Sequence, residues 1–168
     1  MNDSLERYEA LSELESEVIA LFVRIADVLN LPRSVGEIYG VLFVSSSPLC
    51  LDDCRIRLNI SKGSTSQGLK ILRSFGAIRT VYVPGDRKDY YVAETSLRKI
   101  ASGFASEQIQ PHVESGKDRL SRIRELLNNY ETDGADDLIE KVELLENWQR
   151  RAGKTLPLII KLIGSRES

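Results

Sequence analysis

Residues 51–93 read LDDCRIRLNISKGSTSQGLKILRSFGAIRTVYVPGDRKDYYVA, and the punctuation of this stretch decides the fold. Leu51 to Leu58 predicts a short helix, with Asp52 and Asp53 in its first turn, where the helix dipole favours acids. Asn59 and Ile60 leave room only for a tight connection. Ser61 is a good N-cap for a second helix reaching about Phe75, because its hydroxyl can accept a free first-turn N–H. Gly76 supplies the residue that commonly closes a helix. The period then changes. Residues 77–83 and 88–93 are rich in β-branched and aromatic side chains, and Pro84-Gly85-Asp86-Arg87 between them is a turn signal. The stretch predicts helix, turn, capped helix and a β-hairpin with a basic tip.

Upstream, Leu11, Leu14, Val18, Leu21, Ile25 and Val28 follow heptad spacing and predict one long helix, about Leu5 to Leu29, able to pack along a partner helix in the same or a second chain. Pro32 opens another helix, about Arg33 to Ser45, in which Gly36 and Gly40 permit close backbone approach. Ser45-Ser46-Ser47-Pro48 ends it. Downstream, helices are predicted from about Thr95 towards Gln110, from His112 to Tyr130 and from about Asp136 onward. Pro111 marks a break or kink, and Pro157 kinks or ends the last helix before an apolar tail, Leu158 to Ile163. The fold class is mainly α with one small β-hairpin.

The 168 residues carry a net charge of −2, with 42% hydrophobic and 29% charged residues, as in ordinary globular proteins. That average hides a segregation. Met1 to Asn30 holds seven acids against Arg7 and Arg24, whereas Arg55 to Tyr90 holds eight bases against Asp86 and Asp89. A basic block on a near-neutral chain is the footprint of a polyanion contact, although a solvated basic face gives the same pattern. No run is apolar enough for a membrane span and no signal peptide is evident, so the expected compartment is the cytoplasm.

Helix, tight turn, capped helix and basic hairpin, in that order, form the layout of a winged helix-turn-helix. The first turn of the capped helix would enter the major groove, where small polar side chains suit base edges and phosphates. The expected DNA-contacting residues are Ser61, Lys62, Gly63, Ser64, Thr65, Ser66 and Gln67, with Lys70 and Arg73 on phosphates and Arg87 and Lys88 at the wing tip. Asp86 is expected to pair with a nearby arginine and hold that tip in shape. Leu69 and Leu72 would face the core.

The sequence also resembles MarR-type regulators, and more closely their GbsR-like branch. Leu31-Pro32-Arg33-Ser34-Val35-Gly36-Glu37-Ile38-Tyr39-Gly40, Ile60-Ser61-Lys62-Gly63-Ser64 with Ser66, and Pro84-Gly85-Asp86-Arg87-Lys88-Asp89-Tyr90-Tyr91 carry the likeness. One departure is Cys50-Leu51, where a Ser or Thr cap is usual. The resemblance implies a homodimer joined by its N- and C-terminal helices, a pseudo-palindromic double-stranded operator, and usually repression. It divides the chain into an N-terminal dimerisation helix (1–30), a DNA-binding domain (31–94) and a C-terminal helical dimerisation region (95–168). It further implies a small-molecule effector, choline or glycine betaine. Tyr39, Phe104, Tyr130 and Trp148 are the candidate aromatic cage for a quaternary ammonium, although helical aromatics are more often core or interface.

Cys50 and Cys54 share a helix face, as a thiol switch or, preferably, as two small buried hydrophobes. With one histidine, no G-x-S-x-G and no P-loop, no catalytic residue, cofactor or metal site is predicted. The rival reading is a winged helix used as a protein-interaction module within a larger complex, suggested by the acidic helices and the apolar tail.

Overall fold

A computed structural model describes residues 12–128 and 135–164. Two compact units divide the chain, Met1–Ile100 and Ala101–Ser168.

In the first unit, α1 (Glu13–Val28) begins with a capping box. Ser12 Oγ accepts from Glu15 N at 3.2 Å and Glu15 Oε2 accepts from Ser12 N at 2.8 Å, satisfying two otherwise free donors. The predicted start near Leu5 lies outside the described residues. The seam read from the heptad spacing is not the face that meets the rest of the unit: Leu14, Leu21, Ile25 and Val28 are 74%, 55%, 44% and 84% exposed. Instead α1 buries Ile19 and Ala26 and packs on α2 (Arg33–Val44). Gly36 and Gly40 allow this approach. A Cβ on Gly36 would stand 2.5 Å from Phe22 O, and one on Gly40 would stand 2.8 Å from Ile19 Cα.

The strand β1 (Leu49–Cys50) follows, then α3 (Leu51–Leu58), α4 (Lys62–Ser74), β2 (Ile78–Val81) and β3 (Tyr90–Ala93). The sheet is antiparallel in the order β1-β3-β2, with Leu49 opposite Tyr91 and Val81 opposite Tyr90. The sequence pattern showed the hairpin but not β1, whose two residues are too few to set up an alternation. Its pairing with β3 ties the wing to the helical core. That core centres on Val35, Ile38, Val41, Leu42, Leu69, Leu72, Phe75 and Ile78.

Cys50 caps α3 without a Ser or Thr: Asp53 reaches back and accepts from Cys50 N at 2.9 Å. Both cysteines are buried and free. Burial pushes the Cys54 thiol up to about 12, and burial likewise raises Cys50. Reactive thiols need an accessible thiolate, so their placement favours two small buried hydrophobes over a switch. The folded protein at pH 8 is expected to resist an aromatic disulfide reagent, and both thiols to react once guanidinium unfolds it. Stoichiometric labelling of the native form would contradict this. Because the folded thiol of Cys54 holds its proton longer than the unfolded one, its contribution to stability is intact below pH 9.0 and falls away from there towards about 12.

The helix α5 (Leu97–Phe104) continues into the second unit through a wide turn, Ala105–Ile109, and α6 (Gln110–Asn128). Pro111 therefore does not break the helix. Gln110 N reaches back five residues to Ala105 O, and a widened turn of this kind accommodates a proline, which can neither donate nor fit a regular turn. Nor does Pro157 end the last helix, α7, which spans Ala135–Gly164. α6 and α7 pack antiparallel. The guanidinium of Arg124 grips Glu146, with Nε donating to Oε1 at 2.9 Å, and the Gln149 side-chain amide donates to Val113 O where Gly116 leaves space. Val142 and Leu127 are buried, while Leu138, Leu145, Trp148, Leu158 and Leu162 are exposed.

Candidate nucleic-acid interface

The connection from α3 to α4 is closed by local chemistry. Asn59 takes the left-handed conformation at φ 52°, which asparagine tolerates, and Ile60 N bonds to Arg55 O at 3.2 Å. Ser61 then caps α4, its Oγ accepting from Ser64 N at 3.1 Å and sharing a hydrogen bond with the Ser64 hydroxyl at 2.9 Å. Thr65 departs from its expected role. It is 0% exposed and its hydroxyl donates to Ser61 O at 2.8 Å, so its side chain braces the first turn from inside and presents nothing outward.

Helical geometry sorts the remaining residues. Thr65, Gly68, Leu69 and Leu72 are buried, the leucines as the sequence predicted. Gly68 marks the crossing with α2, where a Cβ would stand 2.4 Å from Ile38 Cδ1. Lys62, Gly63, Ser66, Gln67, Lys70 and Arg73 are exposed. At roughly 100° per residue these six fall within an arc of about 140°. With the exposed Ser74, which falls in the same arc, that face carries three cations, three hydrogen-bonding side chains, a glycine and no carboxylate.

The wing tip is built differently from expectation. Gly85 takes a positive φ of 85°, as the turn requires. Asp86 is held not by an arginine but by Tyr90, whose hydroxyl donates to Asp86 Oδ2 at 2.8 Å, while Lys88 N donates to Oδ1 at 3.0 Å. These two bonds, the phenol first, hold the Asp86 carboxyl below the usual carboxylate range, and the same contact pushes the Tyr90 phenol up to about 12. The Lys88 ammonium stands 3.7 Å from Asp52 Oδ2, tying the wing to the first turn of α3. Arg87 is exposed at the tip. Tyr90→Phe is expected to leave the melting temperature nearly unchanged but to raise the Asp86 carboxyl pKa, read by NMR titration. An unmoved pKa would show that the clasp is absent in solution.

Two contacts had no sequence signal. Arg57 donates to Glu15 Oε1 at 3.0 Å, joining α3 to α1 across 42 positions of sequence. The Glu94 carboxylate gathers Arg79 and Lys99. The Asp53 cap had a faint one, since acid three residues after the cap is the capping-box spacing.

Three of the four aromatic residues considered for a cage lie among the described residues, one in the first unit and two in the second. Tyr39 lies in the core of the first unit, its hydroxyl donating to Glu94 O at 2.7 Å and its ring 4.7 Å from that of Phe22. Phe104 is half-buried and Trp148 58% exposed in the second unit. Tyr130 lies outside the described residues. Among the described residues there is no cluster of three or more metal-ligating side chains, and no helix is long and apolar enough to cross a membrane.

No protein-family model matches the chain. It is 23% identical over 166 residues to the HTH-type transcriptional repressor GbsR of Bacillus subtilis (strain 168), an alignment that covers 92% of each protein. It also superposes on a solved crystal structure of a transcriptional regulator with a TM-score of 0.58 and 18% identity, covering 88% of this chain and 98% of that one, a likeness of fold. The chain is thus a winged helix-turn-helix protein by fold, similar along nearly its whole length to the HTH-type transcriptional repressor GbsR.

Proposed function

We propose that the protein is a transcriptional repressor that binds a pseudo-palindromic DNA operator as a homodimer. The observation that carries the reading is the exposed face of α4, where Lys62, Lys70 and Arg73 flank Ser66 and Gln67 with no acid among them. Cations of this kind neutralise phosphates, and serine and glutamine read base edges. Arg87 extends the basic surface onto the wing. Similarity to a repressor supports the direction of regulation. The homodimer rests on α1, which already buries one face against α2 yet exposes Leu14, Leu21, Ile25 and Val28 on another. A second copy would cover that seam.

Selection of duplexes from a random-sequence pool at about 0.1 M salt tests the reading, salt being part of any such affinity. The wild type is expected to enrich a two-fold-symmetric motif with half-sites about one helical turn apart. A Lys62→Ala, Arg87→Ala, Lys88→Ala variant is expected to enrich none. A folded, dimeric wild type that enriches nothing would overturn DNA binding and favour the protein-interaction reading, to which the exposed Leu158, Ile159 and Leu162 would contribute.

The effector part of the proposal has its own probe, because Trp148 is the single tryptophan. If the aromatic residues bind a quaternary ammonium, glycine betaine or choline shifts its fluorescence saturably. A flat titration removes Trp148 from any such site.

A further inference from the structure

Tyr82 is 82% exposed on the wing, and its hydroxyl has no partner among the described residues. Single exposed aromatics are common, so exposure by itself gives the residue no role. Its place in the sheet does. In an antiparallel pair, opposed residues point to one face, and alternate residues along a strand share that face. The register sets Ile78 opposite Ala93, Thr80 opposite Tyr91 and Leu49 opposite Tyr91. Leu49, Ile78 and Tyr91 are buried, so this face is turned to the helices. The alternation continues past the end of β2, with Thr80 and Tyr82 exposed and Val81 and Val83 half-buried. Tyr82 therefore lies on the helix-turned face, two residues beyond Thr80 towards the tip, where the helices no longer cover it.

This face is continuous with the basic arc of α4. β2 packs against α4. Burial, first, raises the Tyr91 phenol, Asp89 raises it further and the Arg73 guanidinium opposes them, so Arg73 and Asp89 both stand beside the buried ring. The cationic surface thus runs from Arg73 past Tyr91 onto the part of the wing that carries Tyr82. The Tyr90–Asp86 clasp and the Lys88–Asp52 pair hold that part of the wing to the body, so Tyr82 is offered from a fixed support.

We propose that Tyr82 is a DNA-backbone residue, its hydroxyl donating to a phosphate oxygen beside the half-site and its ring lying against the adjoining sugar. This rests on the operator-binding reading above and adds to it an uncharged contact outside the basic block. Tyrosine is among the side chains that make such contacts, which fix the register on the duplex without reading its sequence.

The test uses the full-length protein and the duplex that the wild type selects. Tyr82→Phe removes one oxygen at an exposed position, so the fold is expected to stay intact. It should bind about tenfold more weakly, the order of one hydrogen bond to a charged group. Three further readouts separate a phosphate contact from other roles. The variant should select the same motif, because phosphates carry no sequence. It should keep the wild-type salt slope, because a phenol releases no counterion, whereas Arg87→Ala flattens it. In ethylation interference, one phosphate in each half-site that blocks the wild type when ethylated should cease to matter for Tyr82→Phe. An unchanged ethylation pattern in Tyr82→Phe, whatever its affinity, overturns the contact and leaves operator binding standing. An altered motif or a flattened slope would mean that Tyr82 reads bases or sets the wing, and also overturns the backbone assignment. A wild type that binds no duplex overturns both readings.

Discussion

Gly36→Ala is expected to lower the stability of the first unit by about 1–3 kcal/mol, the usual penalty for adding a methyl to a filled space. The added Cβ would stand 2.5 Å from Phe22 O, 2.6 Å from Val23 Cα and 2.8 Å from Phe22 C. All three are backbone atoms, so no rotamer change relieves the clash. The helices must separate, and the buried side chains of Ile19 and Ala26 are pulled away from α2. Gly40→Ala meets Ile19 Cα at 2.8 Å by the same mechanism. In a unit of this size each kcal/mol moves the midpoint by about 4–8 °C, so the single variants should melt several degrees lower and the double variant lower still. The control is Gly63→Ala, at which the nearest atom is 3.9 Å away and which lies in a helix where alanine is favoured. Calorimetry decides the matter. A Gly36→Ala protein that melts with the wild type would mean that α1 does not pack on α2 as closely as the structure has it.

This crossing also shows how far sequence reading carries and where it stops. Gly36 and Gly40, four residues apart in an apolar helix, announce a close approach, and the structure delivers it. The identity of the approaching face was not legible. Heptad spacing singled out Leu14, Leu21, Ile25 and Val28 because periodicity detects any apolar stripe, without saying what covers it. α1 has two such stripes, and the glycines take the one containing Ile19 and Ala26. The capped α4, its closing Gly76 and the basic hairpin were legible because each depends on chemistry within a few residues. The Arg57–Glu15 bridge and the Arg79–Glu94 pair were not, because their partners are specified by tertiary placement, and the Tyr90–Asp86 clasp, though only four residues apart, was not because a turn pattern does not say which neighbour a carboxylate takes. Thr65 shows the cost of reading a turn as a string: small and polar between Ser64 and Ser66, it looks like a surface residue, yet helical phase turns it inward.

The largest expected effect on function is neutralisation of the α4 face. Lys62, Lys70 and Arg73 are exposed, and none of the ion pairs among the described residues uses them. Replacing all three by alanine therefore breaks no native pair, and surface changes of this kind usually stay within about 0.5 kcal/mol of the original stability. Binding should respond very differently. A cation on a phosphate releases condensed counterions, so each cation removed from a phosphate flattens the slope of log K against log salt by about 0.9. Removing all three would flatten it by about 2.7 and weaken operator affinity by roughly a hundredfold or more near 0.1 M salt. Lys141→Ala is the matched control, removing a cation from α7 that pairs with Asp137 and has no place on the reading face. Gln67→Ala separates base reading from phosphate binding. It carries no charge, so it should keep the wild-type salt slope while losing about 1–3 kcal/mol of discrimination at one base pair. If the triple variant keeps both slope and affinity, α4 does not face the phosphates, and the basic arc is a solvated surface. If Gln67→Ala instead flattens the slope with the cations intact, α4 is docked in another orientation.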